Sequence, residues 1–514
     1  MADIDFKSIE KKWVERWDNA KLGEAKRDSK KPKFSIIFAY PGISGYLHVG
    51  HMRGYSYTDM IGRYKRMRGY NVMFPVGTHA TGNQAIAFAK KIEKKDKNWM
   101  DYLIANGCSK EKIKELIEPE NIVEYFNNDY LEQWKNFGFL ADWKRFACTI
   151  HPDYNKFIQW QFKKLKQNDL LVQKPYYGTF CPECGPVAVD ASETDISKGG
   201  NAEKYEYTLL KFKFENSFLL AATLRPETIY GQTNLWINPS AKYVKIKLNK
   251  ENWIVSKECV GKLKFQKDGI EFVEDVEAKT LIGKYAIAPG INREIIILPS
   301  TFADPGIGTG IVTSVPSDAP YDYIALRDLQ ESKEECEKYG LNQEAIKKIK
   351  PIPIIDSKGY SECPAVEICN KLKIKSQNDT ALLEEATSEI YKIGFHTGIM
   401  RDNAGKYSST PVERAKELVK EDLIAANLAD VFYDLSEEVI CRCSTQVIIK
   451  RIDDQWFIKY SDHDLTTKSK EHAQTMNIYP EEYKRNMPGV LEWFQDRACA
   501  RLGNWLGTKL PFDD

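Results

Sequence analysis

An apolar stretch from Phe34 to Tyr40 breaks at Pro41-Gly42, then passes through Ile43-Ser44-Gly45-Tyr46-Leu47 into His48-Val49-Gly50-His51. No other feature restricts the fold of this chain as much. A continuous apolar run bounded by Lys30 to Lys33 and by a Pro-Gly turn predicts an inner strand of a parallel sheet. Beyond the turn Met52, Tyr55, Met60, Ile61, Tyr64 and Met67 recur at helical spacing, so His48 and His51 fall one turn apart at the start of a helix. Strand, glycine-rich turn and helix together predict an α/β fold.

A helix N-terminus presents free N–H groups and partial positive charge, and Gly50 leaves the backbone open to a phosphate. Imidazoles placed there can donate to an ATP phosphate and stabilise the charge that develops as pyrophosphate leaves. A pair of histidines that only caps its helix is the competing reading. In its strand-turn-helix setting the stretch resembles the His-x-Gly-His motif of class I aminoacyl-tRNA synthetases, with the smaller nucleotidylyltransferases as rivals on the two histidines alone. The following segment, Arg63 to Arg68, Gly69, Tyr70 to Pro75, then His79-Ala80-Thr81-Gly82, reads as a basic helix end, a glycine cap, a second strand and a polar loop. It resembles the leucyl enzymes of archaeal and eukaryotic type, whose loop reads His-x-Thr-Gly where isoleucyl and valyl enzymes usually carry Trp-Asp. The resemblance implies catalytic roles for His48, Gly50, His51 and His79. It places ATP, with Mg²⁺, against Tyr40, Pro41, His48, Gly50 and His51, and leucine against Phe38, Tyr40 and His79. Ala39 stands where the family usually has proline.

The chain has 514 residues with Lys+Arg 74 against Asp+Glu 73, a net charge of +1, so any RNA-binding surface must be local. The length predicts two or three domains. No run of about 18 apolar residues occurs and Met1-Ala2-Asp3-Ile4-Asp5-Phe6-Lys7 lacks an apolar signal core, which predicts a cytoplasmic protein without membrane contact. Eleven cysteines are odd in number and scattered, unlike a disulfide framework. Two groups stand out, Cys181-Pro182-Glu183-Cys184-Gly185 and Cys441-Arg442-Cys443. A Cys-x-x-Cys knuckle turns two thiolates toward one cation, and a second pair completes a tetrahedral Zn²⁺ site. The second pair lies 257 residues after Cys184, so either the pairs are unrelated or a whole domain is inserted between them. The resemblance implies insertion, since an editing domain interrupts the catalytic chain of this family.

The intervening segment reads as β-rich. Lys242 to Leu248 alternates polar and apolar residues, and Glu294 to Leu298 is an apolar run. Two loops stand out, Ala222-Thr223-Leu224-Arg225-Pro226-Glu227-Thr228 and Gly308-Thr309-Gly310 through Asp318 to Asp322-Tyr323. By composition they are turns with self-satisfied hydroxyls. They also resemble the hydrolytic editing pocket of the leucyl, isoleucyl and valyl enzymes. That resemblance makes Asp322 the carboxylate for the α-ammonium group of a mischarged amino acid. It makes Thr223, Arg225 and Thr228 part of the wall beside the ester. A leucine pocket discriminates one methylene by only about 1–3 kcal/mol, which is why a second, hydrolytic site is needed.

From Glu437 onward the sequence reads as a return to the catalytic domain, with Val447 to Tyr460 predicted as strand, turn and strand. Asp454-Gln455-Trp456-Phe457 and Ala498-Cys499-Ala500-Arg501 match family segments, whereas Gly503-Asn504-Trp505-Leu506-Gly507-Thr508 is about one residue longer than usual. No Lys-Met-Ser-Lys-Ser loop occurs. The expected organisation is the first half of a Rossmann-like class I catalytic domain (1–180), a zinc-knuckle segment (181–205), an inserted β-rich editing domain (206–435), and a knuckle return with continued catalytic domain (436–514). The resemblance implies leucine tRNA, leucine and ATP as partners. A second synthetase chain carrying the lysine loop and the anticodon-binding domain is a further expected partner. A truncated product, a stand-alone editing hydrolase and a tRNA-binding paralogue stay open as alternatives.

Overall fold

The computed structural model describes residues 4–189, 194, 195, 197, 199–501 and 505–512. Gly503 and Asn504 of the lengthened loop therefore lie outside the described residues. Two compact units emerge: Met1–Asn201 with Glu438–Val447 and Ile452–Asp514, and Ala202–Glu437 with Ile448–Arg451. Among the described residues no helix is long and apolar enough to cross a membrane.

In the first unit the strand Lys33–Ser35 pairs in parallel with Asn71–Met73, in the register Phe34↔Val72. A second short parallel pair joins Gly77–Thr78 to Ala147–Cys148. The helix Val49–Met67 connects the first two strands, and Gly69 ends it at φ +88, a left-handed conformation that glycine adopts without a Cβ penalty. Phe38, Tyr55, Val72, Phe74, Phe126, Tyr130 and Trp134 form the core beneath this layer.

Two expectations need correction. The apolar stretch is a strand only over Lys33–Ser35, and the rest is extended chain with alternating burial: Phe38 is buried while Ile37 is 58% exposed. One face packs on the core and the other does not, so the segment is not covered on both faces. Similarly, the buried stripe of the helix is Tyr55, Asp59 and Gly62, whereas Met60, Ile61, Tyr64 and Met67 remain exposed. Asp59 tolerates its buried place because Arg63 pairs with it at 2.6 Å and the Leu140 N–H donates to it at 2.7 Å.

Cys181 ends the long strand Leu171–Cys181, which turns back antiparallel onto Gly185–Pro186. The same sheet contains Ile448–Ile458 and Arg497–Ala498. Ile448–Ile458 is one unbroken strand where the sequence suggested a turn: it lies between Leu171–Cys181 and Arg497–Ala498 in the sheet, with Arg451, Asp453 and Asp454 at exposed positions.

The second unit holds a ten-stranded sheet, nine strands of which run in the order Glu271–Glu277, Lys242–Leu248, Glu251–Ser256, Ser217–Thr223, Lys204–Phe214, Tyr285–Ile287, Glu294–Pro299, Asn234–Ile237, Ile311–Ser314, with Ala429–Leu435 as the tenth. Ala429–Leu435 adds an antiparallel ladder to Lys204–Phe214, Asp434 opposite Tyr205. The buried run in Glu294–Pro299 is as the sequence predicts, whereas Lys242–Leu248 is not a half-buried strand: the adjacent Tyr243 and Val244 are both buried, so it is covered on both faces there, with Lys242 and Lys247 exposed. Phe212, Leu219, Trp236, Tyr243 and Ile297 fill the centre, and the helices Pro320–Glu331 and Val412–Ala425 pack on it.

Candidate active sites

His48 is the N-cap of Val49–Met67, and its imidazole forms a reciprocal box with His51. The His48 Nδ1 accepts from the Gly50 N–H at 3.1 Å, and the His51 Nδ1 accepts from the His48 N–H at 3.3 Å. A neutral imidazole that accepts at Nδ1 carries its proton on Nε2. Capping and phosphate recognition are therefore compatible: the box fixes each ring as an Nε2–H donor. Burial, and then the neighbouring His48, push the His51 pKa down, which favours that neutral form. Gly50 has a reason the sequence did not show. A Cβ there would lie 2.9 Å from His48 Cε1, so the glycine makes room for the imidazole, and its N–H is already engaged.

The rings continue inward as a column. His48 and His51 centroids are 4.0 Å apart, His51 stacks on Tyr55 at 6.1 Å, and Tyr55 stacks on Phe38 at 4.1 Å. Tyr40 presses on Gly77, where a Cβ would come within 2.6 Å of its ring. The His79 N–H donates to the Pro41 carbonyl at 2.8 Å, and Gly42 and His79 form a parallel bridge. His79 opens to solvent, and burial among the surrounding groups pushes its pKa down. Phe38, Tyr40, Pro41, His48, His51 and His79 thus gather beyond the carboxyl ends of two parallel strands, the usual crevice of a doubly wound fold. Tyr55 was read in the sequence only as part of the helical repeat, although its place four residues after His51 was the available signal for its part in the column.

In the second unit the loop after Ser217–Thr223 closes on itself. The Thr223 hydroxyl accepts from the Arg225 N–H at 3.0 Å, and the Thr228 hydroxyl donates to the Arg225 carbonyl at 2.8 Å. The turn reading of these threonines is thus observed, with the Thr223 proton and the Thr228 lone pairs left over. Arg225 pairs with the fully buried Glu227 at 3.0 Å and lies 4.8 Å over the Tyr391 ring. Burial pushes the Glu227 carboxyl up, against the pull of Arg225. Around Tyr391 the structure also gathers Asp318 and Asp322. Asp322, in the first turn of Pro320–Glu331, accepts from Trp236 Nε1 at 3.1 Å and from the Val315 N–H at 2.8 Å. Burial nevertheless pushes its pKa up to about 7, and that of Asp318 up to about 6. Such a carboxylate is short of a nearby cation. Trp236 and Asp318 were not assigned from sequence. Trp236 reaches Asp322 only because the helix Pro320–Glu331 packs on the sheet, for which no local signal exists.

The four cysteines Cys181, Cys184, Cys441 and Cys443 are buried together, every Sγ within 4.8 Å of the others. Cys181 and Cys443 approach at 3.5 Å. Gly185 at φ +92 and Ser444 at φ +69 turn the two knuckles. With Zn–S near 2.3 Å, a tetrahedral zinc site needs sulfurs about 3.8 Å apart, so the four thiols fit Zn²⁺ with small shifts, the Cys181–Cys443 pair opening slightly.

The family of tRNA synthetases class I (I, L, M and V) matches residues 12–512. A leucine--tRNA ligase of Archaeoglobus fulgidus is 40% identical over 514 residues, covering 99% of this chain and 54% of that protein. One from Methanocaldococcus jannaschii is 42% identical over 531 residues, covering 100% and 54%. The chain spans about half the length of the curated relatives it matches. Among solved structures, the P. falciparum cytosolic leucyl-tRNA synthetase editing domain is 22% identical with a TM-score of 0.41, covering 45% of this chain and 100% of that one. The editing domain of the P. knowlesi cytosolic enzyme has the same identity and TM-score, covering 45% and 97%. Matched along almost its whole length, with a histidine box at the end of a parallel layer, the chain belongs to the class I tRNA synthetases of the I, L, M and V group.

Proposed function

We propose that the chain is the amino-terminal part of a leucine--tRNA ligase, joining the first half of an adenylation site to a hydrolytic editing domain. The observation that carries the reading is the His48–His51 box, which presents two Nε2–H donors beside a ring column suited to an apolar amino acid. Phe38 and Tyr40 hold the leucine side chain, and His79 faces the adenylate. His48 and His51 donate to the phosphates of Mg²⁺-bound ATP as pyrophosphate leaves. In the editing unit Asp322 holds the α-ammonium group of a mischarged residue, while Thr223, Arg225 and Thr228 line the ester. Leucine tRNA is the acceptor, and the cytoplasm, where translation runs, is the place of action.

Ligation needs a partner half that carries the lysine loop. Lys33–Ser35 has one paired edge among the described residues, and the exposed Met60, Ile61, Tyr64 and Met67 line one helix face, which supports a further layer there. The test is leucine-dependent ATP–pyrophosphate exchange by this chain alone and with candidate second chains from the same genome. Exchange only in the combined sample supports a two-chain enzyme, and exchange by the isolated chain refutes it. A stand-alone hydrolase would deacylate mischarged leucine tRNA and never gain exchange.

Zn²⁺ on Cys181, Cys184, Cys441 and Cys443 would brace two chain segments far apart in sequence. Metal analysis before and after Cys184→Ser is expected to show bound zinc falling from about one per chain to well below half. Zinc content untouched by the substitution would remove this site.

A further inference from the structure

Lys262 and Asp434 form an ion pair that the editing reading does not use. The Lys262 Nζ lies 2.7 and 2.9 Å from the two Asp434 carboxylate oxygens, and the side chains are 13% and 3% exposed. Removing two charges from water is costly, so such a pair is weak evidence for stability and its role is read from what else it holds. Its remaining bonds show where the constraint goes. Lys262 also donates to the Gly306 carbonyl at 2.6 Å, and Asp434 accepts from the Gly308 N–H at 3.0 Å.

The pair therefore holds both ends of the Gly306–Gly308 turn. Gly308 sits at φ +57, and a Cβ there would lie 2.8 Å from the Ala222 Cβ, so the turn presses directly on the end of the strand Ser217–Thr223. Thr309, buried next to it, accepts from the Ala222 N–H at 3.2 Å through its hydroxyl and donates to the Ile311 carbonyl at 3.3 Å. Its carbonyl accepts from the Ser256 N–H at 2.9 Å. One bonded path thus runs from Lys262 and Asp434 through Gly308 and Thr309 to Ala222, and from there to Thr223 and Arg225.

We infer that Lys262, Asp434 and Thr309 are positioning residues for the editing pocket, setting the depth at which Thr223 and the loop after it stand against the substrate ester. The inference rests on the editing reading. None of the three touches the ester: they act through the backbone of Ala222. Asp434 also lies on Ala429–Leu435, three residues before the unit's main segment ends at Glu437, so the pocket wall is tied to the strand that leaves the unit.

The test is hydrolysis of norvalyl- and leucyl-charged leucine tRNA by the full chain, with the ratio of the two kcat/KM values as readout. Thr309→Val keeps the volume and loses the bond to Ala222, while Lys262→Met combined with Asp434→Asn removes the pair without stranding a charge. Both are expected to lower the ratio at least tenfold, and Thr309→Ser to restore it to within threefold of wild type. A merely structural role lowers Tm and leaves the ratio alone, so an unchanged ratio in Thr309→Val overturns the inference whether or not the double variant folds. Failure of the wild-type chain to hydrolyse either substrate overturns the editing reading itself, and this inference with it.

Discussion

His48→Asn is expected to leave the stability of the chain within about 1 kcal/mol of wild type while leucine-dependent ATP–pyrophosphate exchange by the assembled enzyme falls at least ~100-fold. The two readings of His48, helix cap and phosphate ligand, separate in this variant. Asparagine is among the best N-cap residues and its carboxamide oxygen can accept from the Gly50 N–H as the His48 Nδ1 does. It cannot extend a donor to where the imidazole Nε2–H points. His48→Ala loses both functions, with a cap cost of about 0.5–2 kcal/mol. Should His48→Asn keep full exchange, the imidazole is a cap and nothing more.

The same box sets an acid limit. The His51 pKa is pushed down by burial, so its folded-state value lies below the unfolded one near 6.5. A depressed value means the stabilising contribution is present above the unfolded pKa and is lost as pH falls through the folded value. A protonated Nδ1 would face the His48 N–H donor, breaking that half of the box and releasing the His51 ring.

The histidine site was legible because its determinants are local. Strand, turn and cap occupy Phe34 to His51, and the glycine that ends the helix, Gly69, was readable from position alone. What was misread depends on neighbours. The covering of the strand and the exposed Met60, Ile61, Tyr64 and Met67 are settled by what packs on each face, which period and composition do not report. The cysteine cluster was legible as two knuckles, and only the fold brought residues 257 apart within 4.8 Å of one another. The residues proposed for editing rest on resemblance rather than physics, since by composition the threonines read as turns. The structure shows those turns, and adds Trp236 beneath Asp322.

Asp322→Asn is expected to abolish deacylation, by at least ~100-fold, while making the chain more stable near pH 8. Burial lifts the Asp322 pKa from 3.8 to about 7 even though Trp236 and Val315 both donate to the carboxylate. A raised carboxyl favours folding while protonated, so its contribution is full below the unfolded value and lost as pH rises toward the folded one. A gap of about three units corresponds to roughly 4 kcal/mol, lost between about pH 4 and pH 7. Asparagine does not ionise, but its NH₂ must face one of the two N–H donors, a cost of about 1–3 kcal/mol at every pH. Above pH 7 the balance favours asparagine, and near pH 4 it favours aspartate. Urea midpoints at the two pH values read this crossover directly. A variant less stable than wild type at pH 8 would make the carboxylate a structural anchor for the Trp236 and Val315 donors. Stability gained and hydrolysis lost together would mean that the charge is held at a cost for the ammonium group it binds. Wild-type hydrolysis should then rise with pH and level off at or below about 7, since a bound cation pulls the apparent pKa of Asp322 down.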